Sequence, residues 1–367
     1  MTAPITGAAA LHERLQRIAL QPVIGLDTEF LRERTYFAQL CLLQLSARDD
    51  AFCVDMIALG AAHALDEDTL APLRRLMNDA AVCKVMHAAR QDLEVLAPTC
   101  GSVANIFDTQ LAATLAGFAP QVGYAALVEA LLQVKLHKSQ TRTDWSRRPL
   151  STAQIDYALD DVRHLLPLRE LLLQRLRELG RLTWFEEDTR AAAGEPLQVD
   201  PAQAWLRVKG LSDLDEPRLR LARALGEWRE QRAIRSDRPR GWILPDVSLR
   251  EIVLRVPRNA GELGNIAELT DGMLRHSGAD LLRLVAAAQI PEPPAPLPRR
   301  ERPGPEFTTC VQRLSAAVQR ISAELHIAPE VLAPRRELER IAGGARSGGS
   351  LAGWRGAIVG AALLAAA

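Results

Sequence analysis

Three runs rich in β-branched and other apolar residues stand near the start of the chain: PVIGLDTEF (22–30), YFAQLCLLQLSA (36–47) and DAFCVDMI (50–57). Short polar stretches separate them, which predicts consecutive strands in an antiparallel meander. Helical spacing then takes over at 69–78, VCKVMHA (82–88) reads as a further strand, and a 3.6-residue period predicts helices over 90–97, 108–116, 123–133 and 151–179. The expected fold of this part is α/β, a mixed sheet flanked by helices. Residues 203–289 contain no strand-like run and read as short helices punctuated by Arg240-Gly241, Pro245, Pro257 and Gly278. PEPPAPLPRRERPGP (291–305) places seven prolines in fifteen residues, which sustains neither helix nor central strand and makes a semi-rigid spacer. Helical periodicity returns at 306–342, GGARSGG (343–349) interrupts it, and GAIVGAALLAAA closes the chain as a packed helix. The expected domains are 1–200, 205–290 and 306–367, with 291–305 as the linker.

With 48% hydrophobic and 25% charged residues, the 367-residue chain is neither disordered nor collagen-like nor a coiled coil. Its five cysteines (Cys41, Cys53, Cys83, Cys100, Cys310) form no C-x-x-C pair, which argues against a disulfide framework and a cysteine zinc site and for a reducing compartment. The first twenty residues lack the basic stretch of an export signal, and the longest apolar run is twelve residues against the roughly 20 a membrane-spanning helix needs. A cytoplasmic protein without a membrane partner is expected. Net charge is zero, yet residues 1–204 carry 20 basic and 26 acidic side chains while 205–289 carry 15 and 12 and 290–367 carry 10 and 7. An acidic front and a basic rear suit a metal site followed by polyanion-binding modules.

The candidate chemistry starts at Gly25-Leu26-Asp27-Thr28-Glu29-Phe30. Alternate strand residues share a face, so Asp27 and Glu29 project together about 6.5–7 Å apart and can bracket a divalent ion. In Tyr157-Ala-Leu-Asp160-Asp161 the tyrosine and Asp161 are four apart on one helical face, with Asp160 as the competing carboxylate. Between them, His87-Ala-Ala-Arg90-Gln91-Asp92 runs from a strand end into a helix, with an acidic residue at the helix start.

GLDTEF, HAARQD and YALDD resemble, in order and spacing, the three exonuclease motifs of the DEDD superfamily, in the subclass whose third motif carries a tyrosine. FLRERTYFAQLCLLQL (30–45), FDTQLAATLAG (107–117), KSQTRTDWSRRPL (138–150) and DVRHLLPLRELL (161–172) are similar to bacterial ribonuclease D. LARALGEWREQRAIRSDRPRGWIL (221–244) resembles an HRDC domain, and APRRELERI (333–341) with GWRG (353–356) resembles a degenerate second one. The resemblance spans nearly the whole chain. One departure is that the HRDC glycine before the last helices is not evident around Ile266–Leu269.

The resemblance implies a ribonuclease H-like mixed-sheet exonuclease domain followed by all-α HRDC-type domains. It implies a metal-dependent 3′-5′ exoribonuclease that trims precursor tRNA and other small structured RNAs. Asp27, Glu29, Asp92 and Asp161 would hold two divalent ions, Mg²⁺ or Mn²⁺, and Tyr157 would orient the attacking water. Phe30 is a candidate for stacking on the terminal base. His87, Lys138 and Arg142 are candidates for substrate contact, and Arg232, Arg235, Arg238 and Arg240 for a backbone-binding patch. Nothing demands more than a monomer. A 3′-5′ exodeoxyribonuclease and a non-catalytic RNA-binding scaffold stay open as alternatives.

Overall fold

The computed structural model describes residues 3–48, 50–61, 65–136, 143–211, 214–291 and 304–367. They fall into two compact units: residues up to Leu31, Leu40–Leu197 and the segment from 304 onward form one, and Arg32–Gln39 with the stretch from Gln198 form the other. In the first unit, helix α1 (Ala8–Ile18) precedes strands β1 (Val23–Leu31), β2 (Gln39–Ala47), β3 (Asp50–Asp55), β4 (Cys83–Met86) and β5 (Ile106–Asp108). The sheet order is β3-β2-β1-β4-β5. β3 is antiparallel to β2, with Gln44 opposite Cys53, whereas β4 runs parallel to β1 and to β5. Seven residues join β1 to its neighbour β2, too few for a parallel crossover, so β2 returns antiparallel. The mixed sheet agrees with the expectation.

Helices α2 (Met56–Ala61), α3 (Glu67–Asn78), α4 (Arg90–Cys100), α5 (Thr109–Leu115), α6 (Tyr124–Leu132), α7 (Thr152–Arg163), α8 (Leu165–Glu178) and α9 (Leu182–Gly194) surround the sheet in sequence order. The helix expected over 151–179 is two helices that break at His164. Pro167 has no N–H for the carbonyl of Arg163 and its ring crowds that turn, so α7 ends and α8 restarts. α7 begins at Ser151, whose side chain accepts from Gln154 N while the Gln154 side chain accepts from Ser151 N. α1, α2, α9 and β5 fall outside the predicted elements. α1 buries only Leu11, Leu15 and Ile18 amid alanines and charges, and β5 is three residues long, too short for a period to show.

The second unit follows a 3₁₀ segment (Pro201–Arg207) with α10 (Glu216–Ser236), α11 (Arg240–Ile243), α12 (Asp246–Arg255), α13 (Ala260–Gly264) and α14 (Asp271–Ala287) around its own core of Leu221, Leu225, Leu249, Ile252, Leu281 and Val285. Asp237 accepts from the backbone N–H groups of Tyr36 and Phe37, both at 3.0 Å, and buried Glu230 receives the Tyr36 hydroxyl and Arg240 Nε. Glu268 lies within the stretch where the HRDC glycine is missing, in the left-handed conformation with φ 61°.

Helices α15 (Pro305–Leu325), α16 (Pro329–Leu332) and α17 (Arg335–Ala342) lead to short helical turns that end at Ala366. In this segment, the one expected as a domain over 306–367, α15 packs against α16, α17 and the terminal helical turns, and the whole falls in the same compact unit as the sheet. Leu314, Val318, Ile341, Trp354, Val359 and Leu363 are buried in one cluster with Leu168, Leu172, Leu176 and Phe185. The GWRG motif supplies the anchor. Trp354 stacks on Trp184 at 4.4 Å, and Arg355 makes a two-pronged ion pair with Asp188 of α9 at 2.6 and 2.9 Å. Among the described residues, no helix is long and apolar enough to cross a membrane.

Candidate active site

The site is built where β1 meets α4 and α7. Gly25 permits the approach: a Cβ there would lie 2.3 Å from Ser46 Oγ and 3.2 Å from the carbonyl of Val162. Ser46 Oγ donates to that same carbonyl at 2.8 Å, which ties the end of α7 to the sheet. The next turn of β1 and the next turn of α7 then face each other. Carboxylate oxygens of Asp27, Glu29 and Asp161 all lie within 4.8 Å of one another. Asp160 points elsewhere and is held by Arg163 at 2.7 Å, so the competition between the two neighbouring carboxylates falls to Asp161. Asp92 lies outside that triangle, buried on α4, where its carboxylate accepts from Thr28 Oγ1.

Crowding sets the protonation. Burial, then the charges of Asp92, Asp161 and Glu29, hold the Asp27 carboxyl well above the usual range. Burial, with Asp161 and Asp92, pushes Glu29 up to about 8. Asp161 is pushed up to about 7 by burial, with Asp160 and Asp92 adding to it and the hydrogen bond from Tyr157 opposing. Burial raises Asp92 to about 6 against its bond from Thr28. Burial also raises the Tyr157 phenol, so at neutral pH it is a hydrogen-bond donor to Asp161. Clustered carboxylate oxygens form a donor set for hard divalent cations, and a cation reverses the repulsion that raises these groups. The residues present fit divalent metal.

The other expected site residues divide. His87 Nδ1 meets Thr109 Oγ1 at 2.9 Å and its Nε2 meets the carbonyl of Val122 at 3.0 Å. Both ring nitrogens have partners within the fold, which secures the residue after β4, and burial lowers its pKa. Phe30 is half-buried at the end of β1. Lys138 and Arg142 lie outside the described residues. The remainder of that loop is structural, with Arg148 gripping Asp55 through two bonds at 2.5 and 2.7 Å. Arg232 bonds Asp280 and the carbonyl of His276, both at 3.2 Å, and Arg240 is held by Glu230. Arg235 and Arg238 are exposed.

Three contributors were not read from the sequence. Thr28, inside the D-x-E, anchors Asp92. Tyr124 donates to the carbonyl of Asp160 at 3.0 Å and so fixes the turn that carries Asp161. Gly25 was visible only as part of the motif, with no signal of what it must accommodate.

Residues 2–177 match the family model of a 3′-5′ exonuclease, and residues 218–285 match that of the HRDC domain. Together with the acidic cluster on a mixed sheet, these matches define a 3′-5′ exonuclease that carries an HRDC module. A ribonuclease D of Gluconacetobacter diazotrophicus is 38% identical over 344 residues, covering 92% of this chain and 85% of its own length. A ribonuclease D of Granulibacter bethesdensis is 40% identical over 358 residues, covering 95% and 87%. The crystal structure of Escherichia coli RNase D, described as an exoribonuclease involved in structured RNA processing, superposes with a TM-score of 0.85 at 28% identity, over 100% of this chain and 98% of that one. The chain belongs to the ribonuclease D family, whose members are 3′-5′ exoribonucleases acting on nucleic acid.

Proposed function

We propose that the chain shortens RNA one nucleotide at a time from the 3′ end, releasing nucleoside 5′-monophosphates, with Asp27, Glu29, Asp92 and Asp161 holding two divalent cations, Mg²⁺ or Mn²⁺. The carrying observation is the triangle of carboxylate oxygens within 4.8 Å, whose charges are mutually unfavourable without a cation. When bound, such cations supply Lewis-acid stabilisation of phosphoryl charge and a hydroxide at neutral pH.

The side chains supply placement. Thr28 keeps one oxygen of Asp92 occupied and so turns the other toward the cluster. Tyr157 remains a protonated phenol and cannot abstract a proton at neutral pH; its hydroxyl orients the attacking water against phosphorus. Tyr124 and Ser46 hold the carbonyls of Asp160 and Val162, on either side of Asp161. Phe30, next to Glu29, is the stacking surface for the terminal base. Exposed Arg235 and Arg238 track phosphates in the helical unit, which makes RNA affinity salt-dependent.

The substrates proposed are the 3′ trailers of precursor tRNA and other small structured RNAs, processed by a monomer in the cytoplasm. Similarity to the Escherichia coli enzyme, whose own description concerns structured RNA, supports the substrate class. Five buried free cysteines support a reducing compartment.

The test follows 5′-labelled RNA and matched DNA with single-stranded 3′ tails on a sequencing gel, with Mg²⁺, with EDTA and with Asp161→Asn. A metal-dependent ladder descending from the RNA 3′ end, absent in the variant and weaker on DNA, is the expected result. Equal or faster loss of DNA makes the protein an exodeoxyribonuclease. Bound but uncut RNA makes it a scaffold.

A further inference from the structure

Gln44 sits at the middle of β2 with none of its surface exposed, and neither Nε2 nor Oε1 has a hydrogen-bond partner among the described residues. Native structures leave few buried polar groups in this condition, and each calls for an explanation. Its place supplies one. Ser46, two residues on and therefore on the same face of β2, reaches the carbonyl of Val162, so that face looks toward α7. The missing Cβ of Gly25 points at Ser46 Oγ from β1, which pairs those two positions across the strands. β1 and β2 are antiparallel, so moving two residues along each brings Asp27 and Gln44 opposite one another on the same face, where side chains meet. Cys53, opposite Gln44 on the other side, packs with Ala158 and Leu159 of α7. Its thiol, pushed up to about 12 by burial, also senses Glu29 and Asp27.

We propose that Gln44 is a positioning residue for the acidic cluster: its carboxamide donates through Nε2 to the Asp27 carboxylate when a divalent cation is held there. The bond would hold the Asp27 oxygens turned toward Glu29 and Asp161. An apolar side chain of similar volume would suit the metal-free core better than an unbonded amide. The amide is thus kept for the loaded state. This inference rests on the reading of Asp27, Glu29 and Asp161 as metal-holding residues.

The experiment compares the full chain with Gln44→Leu, Gln44→Met and, as control, Asp27→Asn. Mn²⁺ binding is measured by titration calorimetry, and thermal midpoints are measured in EDTA. Both Gln44 variants are expected to melt at or above the wild-type midpoint in EDTA while binding Mn²⁺ about 10–100-fold more weakly, the usual cost of losing a hydrogen bond to a metal ligand. Folded variants with wild-type Mn²⁺ affinity overturn the inference. So do variants that both melt well below wild type in EDTA, since the amide then serves the metal-free fold. A wild-type chain that binds no Mn²⁺, or an Asp27→Asn variant that binds it normally, overturns the metal-site reading instead.

Discussion

Glu29→Gln should abolish nuclease activity and, in the same protein, make the metal-free fold more stable. Glu29 ionises at about 4.5 when exposed but only near 8 in the folded chain, because burial and the neighbouring Asp161 and Asp92 oppose its charge. Below about pH 4.5 the group is protonated in both states and costs nothing. As pH rises, the unfolded chain releases its proton first, so folding loses stability until the folded group also ionises. At about 1.4 kcal/mol per pH unit, the deficit is about 1 kcal/mol near pH 5 and about 4 kcal/mol near pH 8. Glutamine keeps the shape without the charge. The variant's midpoint in EDTA should therefore exceed the wild type's by about 8 °C or more near pH 8, using roughly 2 °C per kcal/mol for a unit of this size, and by only about 2 °C near pH 5. Differential scanning calorimetry at the two pH values measures both. Equal shifts at the two pH values, or a loss of stability at the higher one, would refute the claim that Glu29 is held among like charges.

Tyr157→Phe should lower turnover by about 10²-fold while leaving the Mn²⁺ isotherm unchanged, since it removes alignment and not a ligand; a clear loss of Mn²⁺ affinity contradicts that role. Gly25→Ala should cost about 1–3 kcal/mol in urea melts and depress activity, because its Cβ would fall 2.3 Å from Ser46 Oγ and push α7 away from β1. The Gly25→Ala, Ser46→Ala double variant should recover only part of the loss, as the Val162 carbonyl still lies 3.2 Å away. Glu268→Gly should stabilise the helical unit by about 0.5–1 kcal/mol, because φ of 61° suits glycine; a destabilised variant would show that the Glu268 side chain earns its place there.

Local spacing made the centre of the site readable. The alternation of a strand puts Asp27 beside Glu29, and a helical turn puts Tyr157 beside Asp161, whatever else the chain does. What joins the two pairs is not local. The approach of α7 to β1 depends on Gly25, Ser46 and the Val162 carbonyl, which are far apart in sequence. The bond from Thr28 to Asp92 and the bare amide of Gln44 are likewise tertiary facts. Periodicity shows that α15 and α17 have an apolar face but not what covers it. The break at His164 was open to reading from Pro167 alone. His87 shows the converse: a histidine beside a motif draws attention by chemistry, while its two hydrogen-bond partners, Thr109 and the Val122 carbonyl, are far from it in sequence.

The reading stands or falls on whether cations held by this cluster touch the phosphate that is cut. The most direct measurement places a single phosphorothioate at the 3′-terminal linkage of an RNA and times its removal under single-turnover conditions, in Mg²⁺ and then in Mn²⁺. Sulfur binds the softer Mn²⁺ better than Mg²⁺. One sulfur diastereomer is expected to be cut at least about 10-fold slower than oxygen in Mg²⁺ and to recover in Mn²⁺, with no recovery in Asp27→Asn. Equal rates for sulfur and oxygen in both metals, for both diastereomers, would contradict the account.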